Sequence, residues 1–223
     1  MRKAASMSLV LHGYWRPSAA YRVRIALNLK GLEYRQVTHD LRTGSQRNPE
    51  YRGLAPIGLV PALETDDGQV LTQSLAIFEW LEEQHPYPPL LPDNASERAA
   101  VRAMACIVAC DIHPINNLRV LKALREELVA GEDMVRDWIA RWINEGFTAL
   151  ETMVSHHGGH FCFGDTPTLA DCCLVPQIYN ARRFEVALSA YPRLLGIEAN
   201  CEALHAFANA APEVQPDADG PAT

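Results

Sequence analysis

Between Leu9 and Gly31 the chain passes from an apolar run, Leu9-Val10-Leu11, through a short polar turn into residues whose apolar members recur at helical spacing. The run reads as a buried strand over about residues 8–12, preceded by a loose tail at 1–7. Ala19, Ala20, Val23, Ile25, Ala26, Leu27 and Leu29 supply the apolar side of a helix that is expected to start near Ser18, just after Pro17, and to stop at Gly31. EYRQVT at 33–38 reads as a second strand, and strand–helix–strand spacing predicts a crossover with parallel pairing. Residues 40–51 are polar and predict a short irregular surface helix. In APIGLVPAL, 55–63, Pro61 stands directly before a short apolar strand; proline cannot donate a ladder bond, so it belongs at a strand's start or edge. TDDG at 65–68 is a hairpin turn signal and QVL at 69–71 the returning strand, which makes the sheet mixed. TQSLAIFEWLEE, 72–83, predicts a helix with Ala76, Ile77, Trp80 and Leu81 on one side and Ser74 at its start.

The stretch HPYPPLLP at 85–92 holds four of the chain's 15 prolines and reads as a domain boundary, stiff because proline fixes its own φ. Beyond it the pattern is helical. Residues 95–128 predict long helices bent at Pro114. Residues 133–156 predict another, with Trp138, Ile139, Trp142, Ile143, Phe147 and Leu150 as an apolar stripe. In TPTLADCCLVPQIYNARRF, 166–184, Thr168 and Asp171 have the form of a capping box, and the nearly apolar helix that follows is expected at the centre of its domain. Cys172 and Cys173 read as core packing, and Arg182 and Arg183 fall where that helix ends. A last helical segment lies within 191–210, followed by a polar, proline-rich tail.

The length of 223 residues suits one large domain or two modest ones, and 48% hydrophobic against 21% charged residues is the balance of a soluble globular protein. A net charge of −7 argues against a nucleic-acid partner. No apolar run reaches the ~18 residues of a membrane span, and the basic residues near Met1 precede no signal-like apolar core. The six cysteines form neither a disulfide framework nor a zinc pattern, which fits a reducing compartment; His156, His157 and His160 have no convincing partners for a metal, and none is expected. Two helix starts remain as candidate chemistry. Such a point carries unpaired N–H groups and partial positive charge, so it either takes a simple side-chain cap or holds an anion or thiolate. Ser18 stands at the first, with Arg16 and Arg22 close by. Ser74 stands at the second, beside the amide of Gln73.

Taken together, Ser18 with RVRIAL, the VPAL strand, Gln73-Ser74, the proline linker and the TLADCCLVPQ helix resemble the zeta class of glutathione transferases, the family of maleylacetoacetate and bacterial maleylpyruvate isomerases. The likeness runs from about residue 8 to about residue 216. It implies an α/β, thioredoxin-like glutathione-binding domain at 8–86, an all-α substrate-site domain at 93–216, and a cytoplasmic homodimer. Residue by residue, it implies that Ser18 hydrogen-bonds the glutathione sulfur. Val60 pairs through its backbone with the cysteinyl group, Pro61 is cis, and Gln73 and Ser74 hold the γ-glutamyl carboxylate. Arg16 lines the substrate site. His113, Asn117 and Arg119 come from DIHPINNLRVL, a segment that faces the active site in those relatives; His113 and Asn117, at helical i, i+4 spacing, are expected on one helix side. Arg183 reads the substrate's far carboxylate.

Two positions depart from the family pattern. Pro17-Ser18-Ala19 replaces Ser-Ser-Cys, so no protein thiol stands beside Ser18, and Leu118-Arg119 replaces a pair of arginines. The implied chemistry is addition of glutathione thiolate to a conjugated cis double bond, rotation and elimination, with Arg16, Arg119 and Arg183 binding carboxylates. The competing readings are a general glutathione transferase acting on small electrophiles such as α-halo acids, and a non-catalytic glutathione-binding protein.

Overall fold

The computed structural model describes residues 9–219; the tail expected at 1–7, and Ser8, lie outside that range. The chain divides into two compact units. The first comprises the residues up to Pro89 together with those from His205 onward, and the second Leu90–Leu204. The division falls inside the proline stretch. The residues after Leu204 belong to the first unit, whereas the sequence reading extended the helical domain to 216.

In the first unit, β1 (Leu9–Gly13), α1 (Ser18–Leu29), β2 (Tyr34–Thr38), α2 (Pro49–Leu54), β3 (Ala62–Glu64), β4 (Val70–Thr72) and α3 (Ser74–Gln84) follow one another, with a 3₁₀ turn at Ser45–Arg47. The sheet order is β2-β1-β3-β4. β1 runs parallel to β2 and antiparallel to β3, and β4 returns antiparallel to β3. This is the mixed sheet that the alternation and the TDDG turn predict. β1 is buried along its whole length, as a central strand covered on both faces must be.

Two helices differ from their predicted faces. α1 is not one-sided. Ala20, Tyr21, Val23, Ile25, Ala26 and Leu27 are buried, and so are Arg22 and Arg24. The reason lies late in the chain: a short helix α9 (His205–Ala208) packs on α1, which also packs against α3. α3 buries Ser74, Ile77, Phe78 and Leu81, the i, i+3, i+4, i+7 set, rather than the side that includes Ala76 and Trp80. Complete burial of Ile77, Phe78 and Leu81 is worth about 1.5–3 kcal/mol each.

The second unit holds α4 (Ala95–Cys106), a π-helical turn (Ile107–Ile112), a 3₁₀ turn (Pro114–Asn116), α5 (Leu118–Glu126), α6 (Glu132–His157), α7 (Leu169–Arg183) and α8 (Pro192–Glu202). The bend expected at Pro114 is therefore a longer interruption that starts at Ile107. α7 is the central helix, with Cys172 and Cys173 in its core. Its capping box is present. The buried Asp171 carboxylate accepts from the Thr168 amide at 2.7 Å and the Thr168 hydroxyl at 2.8 Å, and also from the Cys162 amide at 2.8 Å. Among the described residues, no helix is long and apolar enough to cross a membrane.

Candidate functional site

The register of the sheet gathers the first unit's candidate residues. His12 of β1 lies opposite Ala62 of β3, and Ala62 opposite Thr72 of β4. These three residues form one row across the sheet, about 10 Å wide at the usual strand spacing. The turn to Ser18 leaves β1 just beyond that row. Val60-Pro61 enters β3 just before it, and Gln73-Ser74 leaves β4 just after it. Three segments that are not adjacent in sequence therefore open on the same end of the sheet. The Val60–Pro61 peptide bond is cis, as the resemblance implied.

Neither serine occupies the N-cap position of its helix. Ser18 is the first helical residue of α1; the N-cap is Pro17, whose carbonyl accepts from the amides of Ala20 and Tyr21, both at 3.0 Å. Ser74 is likewise the first residue of α3, and its N-cap is Gln73. Neither helix start carries a side-chain cap bond.

Gln73 adopts φ 68°, in the left-handed region that costs a non-glycine residue about 1–3 kcal/mol and persists where the surroundings enforce it. Its side chain is exposed, while Ser74 beside it is buried. The Ser74 hydroxyl oxygen accepts from Arg22 Nη1 at 3.3 Å. A buried cation thus stands directly behind the hydroxyl assigned to a carboxylate, and it ties α1 to the start of α3. Ser18 is also buried. Arg16 is partly exposed, its guanidinium 5.2 Å from the centroid of the Trp15 ring.

In the second unit the expected geometry of His113 and Asn117 changes. They do not share a helix side. His113 ends the π-helical turn, the 3₁₀ turn intervenes, and Asn117 is extended at φ −70°, ψ 152°. The Asn117 side-chain oxygen caps α5 by accepting from the Arg119 amide at 3.2 Å. Its neighbour Asn116, which the sequence reading passed over, has both side-chain amide atoms buried without a hydrogen-bond partner. Buried polar atoms are rarely left so, and nothing in the run INN distinguishes the two asparagines before the cap is seen. Arg119 is exposed on the first turn of α5. Arg183 is exposed at the end of α7, its guanidinium 4.9 Å from the centroid of the Phe184 ring. Its neighbour Arg182 forms an ion pair with the buried Glu198.

The buried cysteines do not offer nucleophiles. Burial pushes the thiols of Cys162 and Cys172 well above their ordinary range, and the charge of Asp171 adds to this. No cluster of three or more His, Cys, Asp or Glu side chains that could hold a metal ion occurs among the described residues.

A sheet of this order, with two helix starts and a cis-proline turn at one end, followed by a helical unit, defines a class. The chain belongs to the glutathione S-transferase family: residues 18–84 match its N-terminal domain and residues 136–212 its C-terminal domain. Among its relatives is a probable maleylacetoacetate isomerase of Vibrio cholerae, 50% identical over 215 residues, which cover 95% of this chain and 99% of that one. Among solved structures, a holo maleylpyruvate isomerase, described as a bacterial zeta-class glutathione S-transferase, superposes with a TM-score of 0.92. It is 48% identical and covers 94% of this chain and all of its own. A maleylacetoacetate isomerase from Anaeromyxobacter dehalogenans, solved with dicarboxyethyl glutathione and citrate in the active site, has a TM-score of 0.87. It is 46% identical, with 97% of this chain and 96% of that one covered.

Proposed function

We propose that this chain is a glutathione-dependent cis–trans isomerase of maleylacetoacetate or a closely related maleyl keto acid such as maleylpyruvate. The observation that carries the reading is the row His12–Ala62–Thr72, which opens Ser18, Val60 and Gln73-Ser74 on one end of the sheet. Relatives that cover nearly the whole chain bear those two activities in their names.

The residues present fit the tripeptide. Its γ-glutamyl carboxylate needs donors and positive potential. Ser74 with Arg22 behind it, the uncapped start of α3 and the exposed amide of Gln73 supply them. Its cysteinyl peptide group needs a backbone partner, and Val60, just ahead of the ladder, is assigned that part. When bound, glutathione supplies the sulfur nucleophile whose reversible addition frees the double bond to rotate. Ser18 donates a hydrogen bond toward the sulfur position, and the positive end of α1 adds to it, so the anion is favoured over the thiol. Arg16, Arg119 and Arg183 are assigned to the substrate's carboxylates, where guanidinium forks bind most strongly. The dicarboxyethyl group and citrate in the Anaeromyxobacter enzyme support a dicarboxylate in that place. Asn117 spends its side-chain oxygen on the cap of α5 and offers its amide nitrogen to glutathione, with His113 beside the cofactor and substrate. A homodimer in the cytoplasm completes the reading. The cysteines of the described residues are free thiols, as a reducing compartment would keep them.

Assay of both maleyl keto acids with and without glutathione tests it. Turnover is expected only with glutathione, and Ser18→Ala is expected to lower kcat/KM by about 10²-fold, the usual cost of one transition-state donor. Inert maleyl acids together with conjugation of an α-halo acid would replace the isomerase with the transferase reading.

A further inference from the structure

The turn that carries Arg16, Pro17 and Ser18 is gripped by residues from the far end of the chain. Arg24, on α1, is completely buried. Its Nη1 donates to the Tyr14 carbonyl at 3.2 Å and its Nη2 to the Trp15 carbonyl at 2.8 Å, while Nε donates to the Ala210 carbonyl at 3.0 Å. Burial lowers its pKa to about 10, which still leaves it charged at neutral pH, and Asp217 and Glu213 lie near enough to favour the charge. Asp217 grips the same turn from the other side: its Oδ2 accepts from the Trp15 amide at 3.1 Å.

The gripping segment is itself fastened. Gln215 donates to the carbonyls of Asn209 at 3.0 Å and Ala211 at 2.8 Å, and accepts from Gln36 Nε2 of β2 at 2.7 Å. Arg42 bonds Asp40 and Asp219 at 2.8 Å each. All of these residues belong to the first unit.

Both peptide groups of Trp15 are therefore held, its N–H by Asp217 and its C=O by Arg24. Beyond Trp15 only Arg16 has ordinary freedom, because the ring locks φ of Pro17, at −56°, and Ser18 is already helical. A hydroxyl helps a sulfur anion only within hydrogen-bond reach and direction, so a small swing of this turn would separate the two.

We infer that residues 205–219 act as a clasp on the turn between β1 and α1, and that Arg24 and Asp217 are positioning residues for the Ser18 hydroxyl. They act through the peptide groups of Trp15 and touch no reactant. The inference rests on the reading of Ser18 as the sulfur-binding hydroxyl.

The test uses the full chain and follows the thiolate absorbance of bound glutathione against pH, with the pH profile of kcat/KM on a maleyl keto acid beside it. Asp217→Ala and Arg24→Lys are expected to raise the thiol pKa by about one unit, a tenfold loss of thiolate below it. The acidic limb of kcat/KM should move by the same amount, with glutathione affinity as in wild type. Folded variants that melt earlier but keep the wild-type thiol pKa would show support of the fold only and would overturn the inference, with Ser18's role intact. If instead wild type and Ser18→Ala hold glutathione with the same thiol pKa, the Ser18 reading falls and takes the clasp's function with it. Should Arg24→Lys fail to fold, Asp217→Ala decides alone, since that side chain lies only partly buried.

Discussion

Ser74 and Asn117 show how one hydrogen bond decides what a polar residue is for. Both stand at helix starts, and both could have been caps. The Ser74 oxygen accepts a hydrogen bond from Arg22 rather than from an amide of its own helix, which leaves the hydroxyl's own hydrogen to donate elsewhere. Ser74→Ala should therefore weaken glutathione by about 1.5–3 kcal/mol, the worth of a hydrogen bond to a charged group, or roughly 10–100-fold in Kd by calorimetry. Asn117 spends its oxygen on the Arg119 amide. Asn117→Ala should cost about 1 kcal/mol of stability, as a lost cap does. Asn116→Ala, which removes a buried amide with no partner, should leave the melting temperature unchanged or higher. A loss of stability without a change in activity would make Asn116 a structural residue. The serines were legible before the structure, because each stands where an apolar strand gives way to a helix. The asparagines were not, since the π-helical turn before them has no local signature and its end decides which of the two becomes the cap.

At the scale of elements, the pattern of apolar runs was enough for the strands and for a mixed sheet, though not for the strand order. Parallel pairing follows from the length of the crossover, and the hairpin from Asp67-Gly68. The faces of α1 and α3 were not legible, because burial is set by what packs against a helix. Nothing in residues 18–29 announces that α9 will cover the side that carries Arg24, or that Arg22 will reach Ser74 at the start of α3. Side chains at the strand ends make a second consequence visible. His12 Nδ1 lies 3.1 Å from His39 Nε2, with His39 tilted against the Tyr51 ring. Burial, with the charge of His12 behind it, holds His39 below its ordinary pKa; burial and then Lys30 do the same at His85. A histidine that resists protonation only when folded favours the folded state above its unfolded pKa of 6.5. That contribution is lost as pH falls from 6.5 through the lower folded value. Thermal melts of wild type should therefore fall between pH 7 and 5 more steeply than those of the His39→Gln, His85→Gln double variant. Identical slopes would remove these two histidines from the acid response.

For the whole molecule, the first unit is built from both ends of the chain and is not complete at the proline stretch. The residues after Leu204 close the side of α1 that carries Arg24. Phe207 and Ala210 are buried there, and Asn28 Nδ2 donates to the Ala206 carbonyl at 2.9 Å. Reading the proline-rich stretch as a clean boundary captured where the helical unit begins and missed that the chain returns, because sequence distance hides a pairing 186 residues long between Arg24 and Ala210. Residues 1–89 alone therefore lack part of their own core. Loss of Phe207 burial removes about 1.5–3 kcal/mol. The Arg24 bond to Ala210, made by a charged group that stays buried, is worth about the same again. The sum approaches the whole stability of a small domain, about 5 kcal/mol at the lower end. A polypeptide of residues 1–89 is expected to show no cooperative thermal transition by circular dichroism. The same residues joined through a long Gly/Ser linker to 205–223 are expected to regain one, with amide exchange at Ile25 and Ala26 slowed as the segment docks on α1. A cooperative melt of 1–89 alone, unchanged when the segment is added, would mean that the returning chain decorates a unit already whole.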